Sequence, residues 1–222
     1  MSGPRERHSG RLGQTPWQTV GPFFHYALPW KGGADLVGGS DIGARADLVP
    51  DGHFLLRGPS ARSAIAGEPI EIAGFVYDGD GAPVPDALIE LWQANAAGRY
   101  ASPLDDRSDL PLDADFTGFG RAATGVDGSY RFHTIRPGRA PGPGNALQAP
   151  HATVSVMGRG ILKRLVTRIY FEAAEGNDED PVLALVPAER RSTLIARRDG
   201  ADGPYRFDIR LQGAGETVFF DV

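Results

Sequence analysis

Glycine and proline interrupt this chain more often than a helical protein allows. The 222 residues include 30 glycines and 18 prolines, and each one inside a helix costs roughly 1–3 kcal/mol. They follow no Gly-X-Y period, which excludes a collagen-like chain. The hydrophobic share of 41%, counted without glycine, is close enough to that of globular domains to argue against disorder. The pattern therefore favours short strands joined by many turns.

Alternating apolar and polar residues predict where the strands lie. Seven segments have this character: 68–77, 88–94, 129–135, 152–157, 165–171, 205–211 and 216–220. The clearest is 205–211, which predicts a half-buried antiparallel strand. One helix is predicted over 187–198, with Pro187 in its first turn and Gly200 after its end. Together these elements predict a mainly β protein, an antiparallel β-sandwich with long loops and one short helix near residues 187–198.

Composition along the chain predicts its organisation. Residues 1–14 are polar and charged and predict a flexible N-terminal arm, while residues 15–222 are expected to form a single domain. Within it, residues 31–66 are rich in Gly, Asp, Ala and Arg and are expected to run over the surface. The chain has no apolar run long enough for a membrane span, no apolar signal region and no cysteine, which predicts a cytoplasmic protein without membrane contact. Its net charge of −5 argues against nucleic acid as a partner.

The chain lacks the motifs of several common catalytic functions. The chain has no glycine-rich phosphate loop before a helix and no G-x-S-x-G elbow, which argues against nucleotide binding and serine hydrolysis. The carboxylates in 105–115 and 175–180 match no calcium-loop pattern and indicate solvated loops. No histidine pair has metal-ligand spacing, so His133 is interpreted as solvent-facing and His151 as a structural, hydrogen-bonded residue. The five histidines are His8, His25, His53, His133 and His151.

Several stretches together resemble the intradiol ring-cleaving dioxygenases. They include T-P-W-Q-T-V-G-P at 15–22, the run G-F-V-Y-D-G-D-G-A-P-V-P-D-A-L-I-E-L-W-Q-A-N at 74–95, and Y-R-F-D-I-R at 205–210. The resemblance extends in order over residues 15–222. It implies the β-sandwich of that family and its reaction, the insertion of both atoms of O2 into a small aromatic substrate with cleavage of the ring.

The resemblance also locates the family's metal ligands. Iron-bearing chains of the family hold Fe(III) with two tyrosines and a His-x-His pair. The matching positions here are Ser108, Ala140 and His151-Ala152-Thr153, which supply one imidazole and no tyrosinate. The resemblance therefore implies a chain that binds no metal and has no catalytic residue of its own. Its partner would be an iron-bearing β subunit that holds the Fe(III) of the assembled enzyme.

In such two-chain enzymes the metal-free chain lines the pocket over its partner's iron. The matching substrate-binding residues here are Thr19, Gly21, Pro22 and Arg159. Gly21 would let its backbone approach a ligand closely, Pro22 would stiffen the wall, and Arg159 would pair with the carboxylate of an aromatic acid. From the residues alone, Arg159 also fits an exposed hairpin arginine, and Gly21-Pro22 a structural turn.

Two other functions are compatible with the same strands. One is a non-catalytic β-sandwich that serves as a carrier or interaction module, for which the segment 15–24 would have no purpose. The other is a self-sufficient dioxygenase whose iron uses other tyrosines of the chain, which a visible charge-transfer colour in the isolated protein would reveal.

Overall fold

Strands dominate the described parts of the chain, as the sequence predicted. The computed structural model describes residues 15–28, 32–38, 40–43 and 65–222, so the arm expected for residues 1–14 lies outside the described residues. The strands are β1 Pro69–Tyr77, β2 Leu88–Gln93, β3 Phe119–Ala123, β4 Ser129–Ile135, β5 Ala140–Pro141, β6 Leu147–Gln148, β7 His151–Met157, β8 Leu165–Phe171, β9 Ile195–Arg198, β10 Tyr205–Arg206 and β11 Ile209–Arg210. A short helix, α1, spans Phe24–Ala27, and 3-10 helices span Pro143–Asn145, Asn177–Glu179, Leu183–Leu185 and Ala188–Leu194. The mainly β class is confirmed.

Nine of these strands form one mixed sheet rather than the antiparallel β-sandwich we predicted. The order is β11-β1-β10-β9-β8-β7-β2-β3, with β4 paired to β1, while β5 and β6 pair with each other. β1 runs parallel to β10 and β11, and β8 runs parallel to β9. Parallel neighbours need long connections instead of hairpins, and here the partner strands of each parallel pair lie far apart in the chain. Alternation along a single strand does not reveal this, because it reports burial and not strand direction.

The segment 205–211 has the predicted alternation but not the predicted pairing. Tyr205, Phe207 and Ile209 are buried, and the residues between them are exposed. The segment is divided into β10 and β11, both parallel to β1. At the division the Phe207 N–H donates to the Ala73 carbonyl at 2.9 Å. The Phe75 N–H donates to the side chain of Asp208 at 3.0 Å.

The helix predicted over 187–198 is wrong in its second half. The structure has a 3-10 helix at Ala188–Leu194, and the chain then enters β9. Residues 195–198 pair with β8 on one side and β10 on the other, so tertiary pairing overrides the helical pattern. The strand predicted over 216–220 is likewise reduced to an isolated bridge between Phe220 and Val166.

The main core lies between the β1–β4 pair and the β2, β7 and β8 strands. Ile72 and Phe132 from one side and Ile89 and Val154 from the other are at most 1% exposed and belong to one cluster. Along β2, odd-numbered residues face this core, and even-numbered residues face the opposite side of the sheet. That outer face carries the candidate site described below.

Part of the predicted surface excursion is in fact buried. Ala34 and Leu36 join the main core, and the Leu36 N–H donates to the His133 carbonyl at 2.8 Å. The Asp35 carboxylate accepts the backbone N–H groups of Gly38 and Ser40 at 2.8 and 2.9 Å, which closes this segment into a turn. The surface prediction is therefore wrong for residues 32–36.

Across the described ranges, none of the helices is long and apolar enough to cross a membrane. The cytoplasmic location expected from the sequence stays a prediction.

Candidate functional site

The outer face of the sheet gathers polar and aromatic side chains in adjoining rows. Trp92 on β2 lies opposite Thr153 on β7, which lies opposite Arg168 on β8. In the next row His151 lies opposite Tyr170. Directly opposed residues in a ladder point to the same face, so the register alone brings these five side chains together.

His151 is a buried, neutral imidazole held by a hydrogen bond to the backbone of a nearby residue. Its Nδ1 lies 2.8 Å from the Ala149 carbonyl, which can only accept, so Nδ1 carries the proton. Its Nε2 lies 3.5 Å from the Tyr100 hydroxyl. Burial, with a smaller contribution from the Arg168 charge, lowers the pKa of His151 to about 4. The interpretation of His151 as a structural, hydrogen-bonded histidine fits these contacts.

Asp180 lies beneath this face and holds neighbouring groups in place through hydrogen bonds. Its carboxylate is fully buried and accepts the N–H groups of Ala149 and Leu183, both at 2.7 Å, and the Tyr170 hydroxyl at 3.0 Å. Burial raises the pKa of Tyr170, which keeps its hydroxyl protonated as the donor. The assignment of residues 175–180 to a solvated loop is therefore wrong for Asp180. The sequence signal was present, because Asp180 followed by Pro181 is typical of a cap at the start of a helical turn.

The positions that match the family's iron ligands do not fit a ferric ion. Ser108 is exposed, Ala140 is buried and carries no donor, and Thr153 offers only a neutral hydroxyl. His151 brings one imidazole, whose Nδ1 is already bound to a carbonyl. Among the described residues no group of three or more His, Cys, Asp or Glu side chains could hold a metal. The four matching positions thus supply one imidazole and none of the anionic oxygens that Fe(III) prefers.

An open cavity of about 520 Å³ lies beside this face. Trp92 and Tyr100 stack nearly parallel, with ring centroids 6.1 Å apart, and Leu104, Arg107 and Pro141 complete much of the wall. The Arg107 guanidinium is paired with Asp105, and this hydrogen bond lowers the pKa of Asp105 to about 2. A larger cavity of about 680 Å³ lies elsewhere, and none of the predicted site residues lines it.

The structure brings the N-terminal segment against the loop that carries Arg159. Val20 and Arg159 form a parallel β-bridge, and the Thr19 hydroxyl lies 3.5 Å from the Gly158 carbonyl. The loop turns tightly, with a hydrogen bond of 3.2 Å from the Ile161 N–H to the Gly158 carbonyl. Gly160 has φ +80°, a conformation that disfavours any side chain. Four residues predicted to act together from motifs alone, Thr19, Gly21, Pro22 and Arg159, therefore belong to two neighbouring segments.

Gly21 and Pro22 are both exposed among the residues that the structure describes. A Cβ atom built at Gly21 would meet no atom within 4 Å, and its φ is not in the left-handed region. Contacts within the described chain therefore do not require glycine at this position.

Arg159 pairs with a carboxylate that no motif in the sequence marks. Its Nε lies 2.8 Å from Asp86 Oδ2, and the side chains of Arg159 and Asp86 are 61% and 7% exposed. Asp86 lies in the turn before β2. The pairing of β2 with β7 places Asp86 next to Arg159, but the sequence alone does not reveal which strands pair.

The Arg159 loop and His151 lie at opposite ends of β7. The strand spans six residue steps from His151 to Met157, which is about 20 Å at the usual rise of a strand. No side chain bridges that distance. The chain thus has two separate regions, an altered metal-ligand face at one end and an exposed arginine with the N-terminal segment at the other.

Comparisons with known proteins agree on one class. A family model described as "Dioxygenase" matches residues 55–213. The protocatechuate 3,4-dioxygenase alpha chain of Burkholderia cepacia is 45% identical over 218 residues, covering 95% of this chain and 98% of that protein. The beta chain of the same enzyme from that organism is 39% identical over 179 residues, covering 77% and 76%. The dioxygenase domain of a carbohydrate-binding fusion protein from Streptomyces sp. SirexAA-E has a TM-score of 0.52 at 24% identity, covering 91% and 100%.

Proposed function

This chain belongs to the intradiol ring-cleaving dioxygenase family, and we propose that it is the metal-free α subunit of a protocatechuate 3,4-dioxygenase. Together with a β subunit it would cleave protocatechuate with O2 to 3-carboxy-cis,cis-muconate. The family is iron-dependent, and the proposal assigns the Fe(III) to the β subunit. Similarity to both an alpha and a beta chain supports an α–β hetero-oligomer. The dioxygenase names of these relatives favour this function over a carrier or interaction module.

One observation carries the proposal: the candidate substrate-binding residues are remote from this chain's own altered ligand positions. Arg159 is largely exposed and lies about 20 Å or more from His151 along β7. The N-terminal segment is bridged to that arginine and is itself exposed. An exposed wall away from the chain's own ligand positions is the arrangement expected of a chain that completes a partner's pocket.

Within that pocket, each residue has a defined role in the proposal. Arg159 presents its guanidinium to the substrate carboxylate, a pairing for which Arg is suited by charge and geometry. Thr19, Gly21 and Pro22 form the adjoining wall, where the absent side chain of Gly21 lets the ligand approach the backbone. No proton or electron transfer is assigned to this chain.

We also propose that residues 15–222 form one domain. The family match over residues 55–213 supports this, as does the bridge that ties Val20 to the far loop of the sheet.

Replacing Arg159 by alanine tests the proposal. In the enzyme assembled with its β subunit, Arg159→Ala is expected to raise the KM for protocatechuate roughly 10- to 100-fold, because a charge-assisted hydrogen bond contributes about 1.5–3 kcal/mol. The kcat for ring cleavage should change much less. Steady-state oxygen uptake at varied protocatechuate concentration gives both constants.

Arg197→Ala is the matched control, because Arg197 is an exposed arginine on β9. It should leave both constants unchanged. Equal KM values for wild type and Arg159→Ala would remove the carboxylate-binding role and with it the proposed pocket wall.

A further inference from the structure

The β2–β7 ladder places a second residue opposite Arg159. Leu88 pairs with Met157 in this antiparallel ladder, and continuing the register by two residues on each strand sets Asp86 opposite Arg159. Two residues in that relation point to the same face. The observed ion pair of 2.8 Å between Arg159 Nε and Asp86 Oδ2 is thus built into the strand register.

The carboxylate of this ion pair is buried and, among the described residues, lacks directed hydrogen-bond donors. The Asp86 side chain is only 7% exposed, and within the described chain neither of its carboxylate oxygens accepts a well-directed hydrogen bond. A buried carboxylate without donors is strongly disfavoured unless a cation lies beside it. Electrostatic attraction to Asp86 therefore holds the Arg159 guanidinium in one place.

Asp86 lies on the Nε side of the Arg159 guanidinium. Arginine has five N–H donors, and the Nε of Arg159 lies 2.8 Å from Asp86 Oδ2 as an ion pair without a well-directed hydrogen bond. The four N–H groups on the two terminal nitrogens remain for another acceptor, in a side chain that is 61% exposed. Those terminal groups form the fork that binds a carboxylate through two parallel hydrogen bonds.

We propose that Asp86 is a positioning residue that orients Arg159 toward the carboxylate of the aromatic acid substrate. This inference rests on the proposed function, because it assigns Asp86 to the same pocket wall. Asp86 acts only through Arg159 and touches no substrate. Its removal should therefore weaken recognition of the carboxylate and leave ring cleavage itself intact.

Asp86→Asn in the assembled αβ enzyme tests the role while keeping the shape of the side chain. We expect the KM for protocatechuate to rise roughly 5- to 20-fold with kcat within about twofold, as for lost orientation of a binding group. The KM for catechol, which lacks the carboxylate, should not change. In an Arg159→Ala background, Asp86→Asn should have no further effect on the KM for protocatechuate.

Glu90→Gln is the matched control, because Glu90 is also a β2 carboxylate paired with an arginine, Arg121, across the sheet. It should leave the KM unchanged. If Asp86→Asn does not assemble with the β subunit, Asp86→Glu decides, since it keeps the charge but displaces the guanidinium and should raise the KM by a smaller factor.

The outcomes distinguish a failure of this inference from a failure of the proposed function. If Arg159→Ala raises the KM but Asp86→Asn, or failing assembly Asp86→Glu, does not, Asp86 is not a positioning residue. A lower KM in either Asp86 variant would mean that the carboxylate only shields the positive charge, which also overturns the inference. If Arg159→Ala itself leaves the KM unchanged, the proposed function fails first.

Discussion

At the scale of single residues, His151 links burial to acid stability. Its pKa is lowered to about 4 in the folded chain from an ordinary value of 6.5, so the unfolded chain takes up the proton first as the pH falls. The folded state therefore has the full benefit above about pH 6.5 and loses it progressively down to about pH 4. The loss amounts to roughly 3 kcal/mol of unfolding free energy. Arg168, Asp180 and the Tyr100 and Tyr170 hydroxyls are the groups around this imidazole.

His151→Gln tests this dependence, because glutamine cannot be protonated in this range. Urea unfolding at several values between pH 4 and pH 7 should show a flatter pH dependence for the variant than for wild type. His133→Gln, at a partly exposed histidine paired with Glu71, should keep the acid loss that we assign to His151. Parallel curves for wild type and His151→Gln would contradict the assignment.

The altered ligand positions lead to a prediction about metal content. The chain purified without its partner should contain far less than one ferric ion and show no visible charge-transfer band, because Ser108, Ala140 and Thr153 provide no anionic oxygen. Elemental analysis with an absorption spectrum measures both, and the iron-bearing β subunit is the positive control. One tightly bound ferric ion per chain would instead revive the self-sufficient dioxygenase.

At the scale of elements, the parallel pairing of β1 with β10 and β11 depends on one glycine. A Cβ atom at Gly74 would lie 1.8 Å from the Phe207 carbonyl oxygen, an oxygen that also accepts the Tyr130 hydroxyl at 2.6 Å. Gly74→Ala should therefore force the two strands apart and lower the unfolding free energy by about 1–3 kcal/mol. Thermal or urea unfolding measures the change. Gly21→Ala, where no atom lies within 4 Å, should leave stability unaltered, and equal losses in both variants would count against the steric explanation.

The same junction shows how far sequence patterns reach. The strands at β1, β2, β4, β7 and β8 were predicted nearly to their ends, because alternation reports which face is buried. The pattern could not give the partner of each strand, since the contact of Gly74 with Phe207 joins residues that are remote in the chain. For the same reason β9 was mistaken for helix. A segment is drawn into a strand when a neighbouring edge offers it hydrogen bonds, whatever its own propensity.

The candidate site was predicted unevenly for a related reason. Motif resemblance selected Thr19 and Arg159, and the structure brings their segments together. Asp86 and Asp180 were missed because nothing in their local sequence required a particular distant partner. Their importance follows from burial next to Arg159 and Tyr170, contacts with residues distant in the chain that only the folded structure creates.

At the scale of the whole molecule, the N-terminal segment precedes the residues that the family model matches. The family match begins at residue 55, whereas the segment of residues 15–24 carries Trp17 and Phe23, which are 63% and 72% exposed. Large exposed aromatics within one short segment are typical of a contact with a partner. In the proposed αβ enzyme, that partner is the β subunit, and the segment would reach it beside Arg159.

Trp17→Ala is therefore expected to weaken assembly with the β subunit. A tryptophan buried at the centre of an interface commonly contributes 2 kcal/mol or more, so the dissociation constant of the αβ pair should rise roughly 10- to 100-fold. Analytical ultracentrifugation of the mixed chains over a dilution series measures it. Leu185→Ala is the control, since Leu185 is 81% exposed on a 3-10 helix outside this segment and should leave the constant unchanged. If Leu185→Ala weakens assembly and Trp17→Ala does not, the β subunit binds a different surface and the segment 15–24 has no part in the shared pocket.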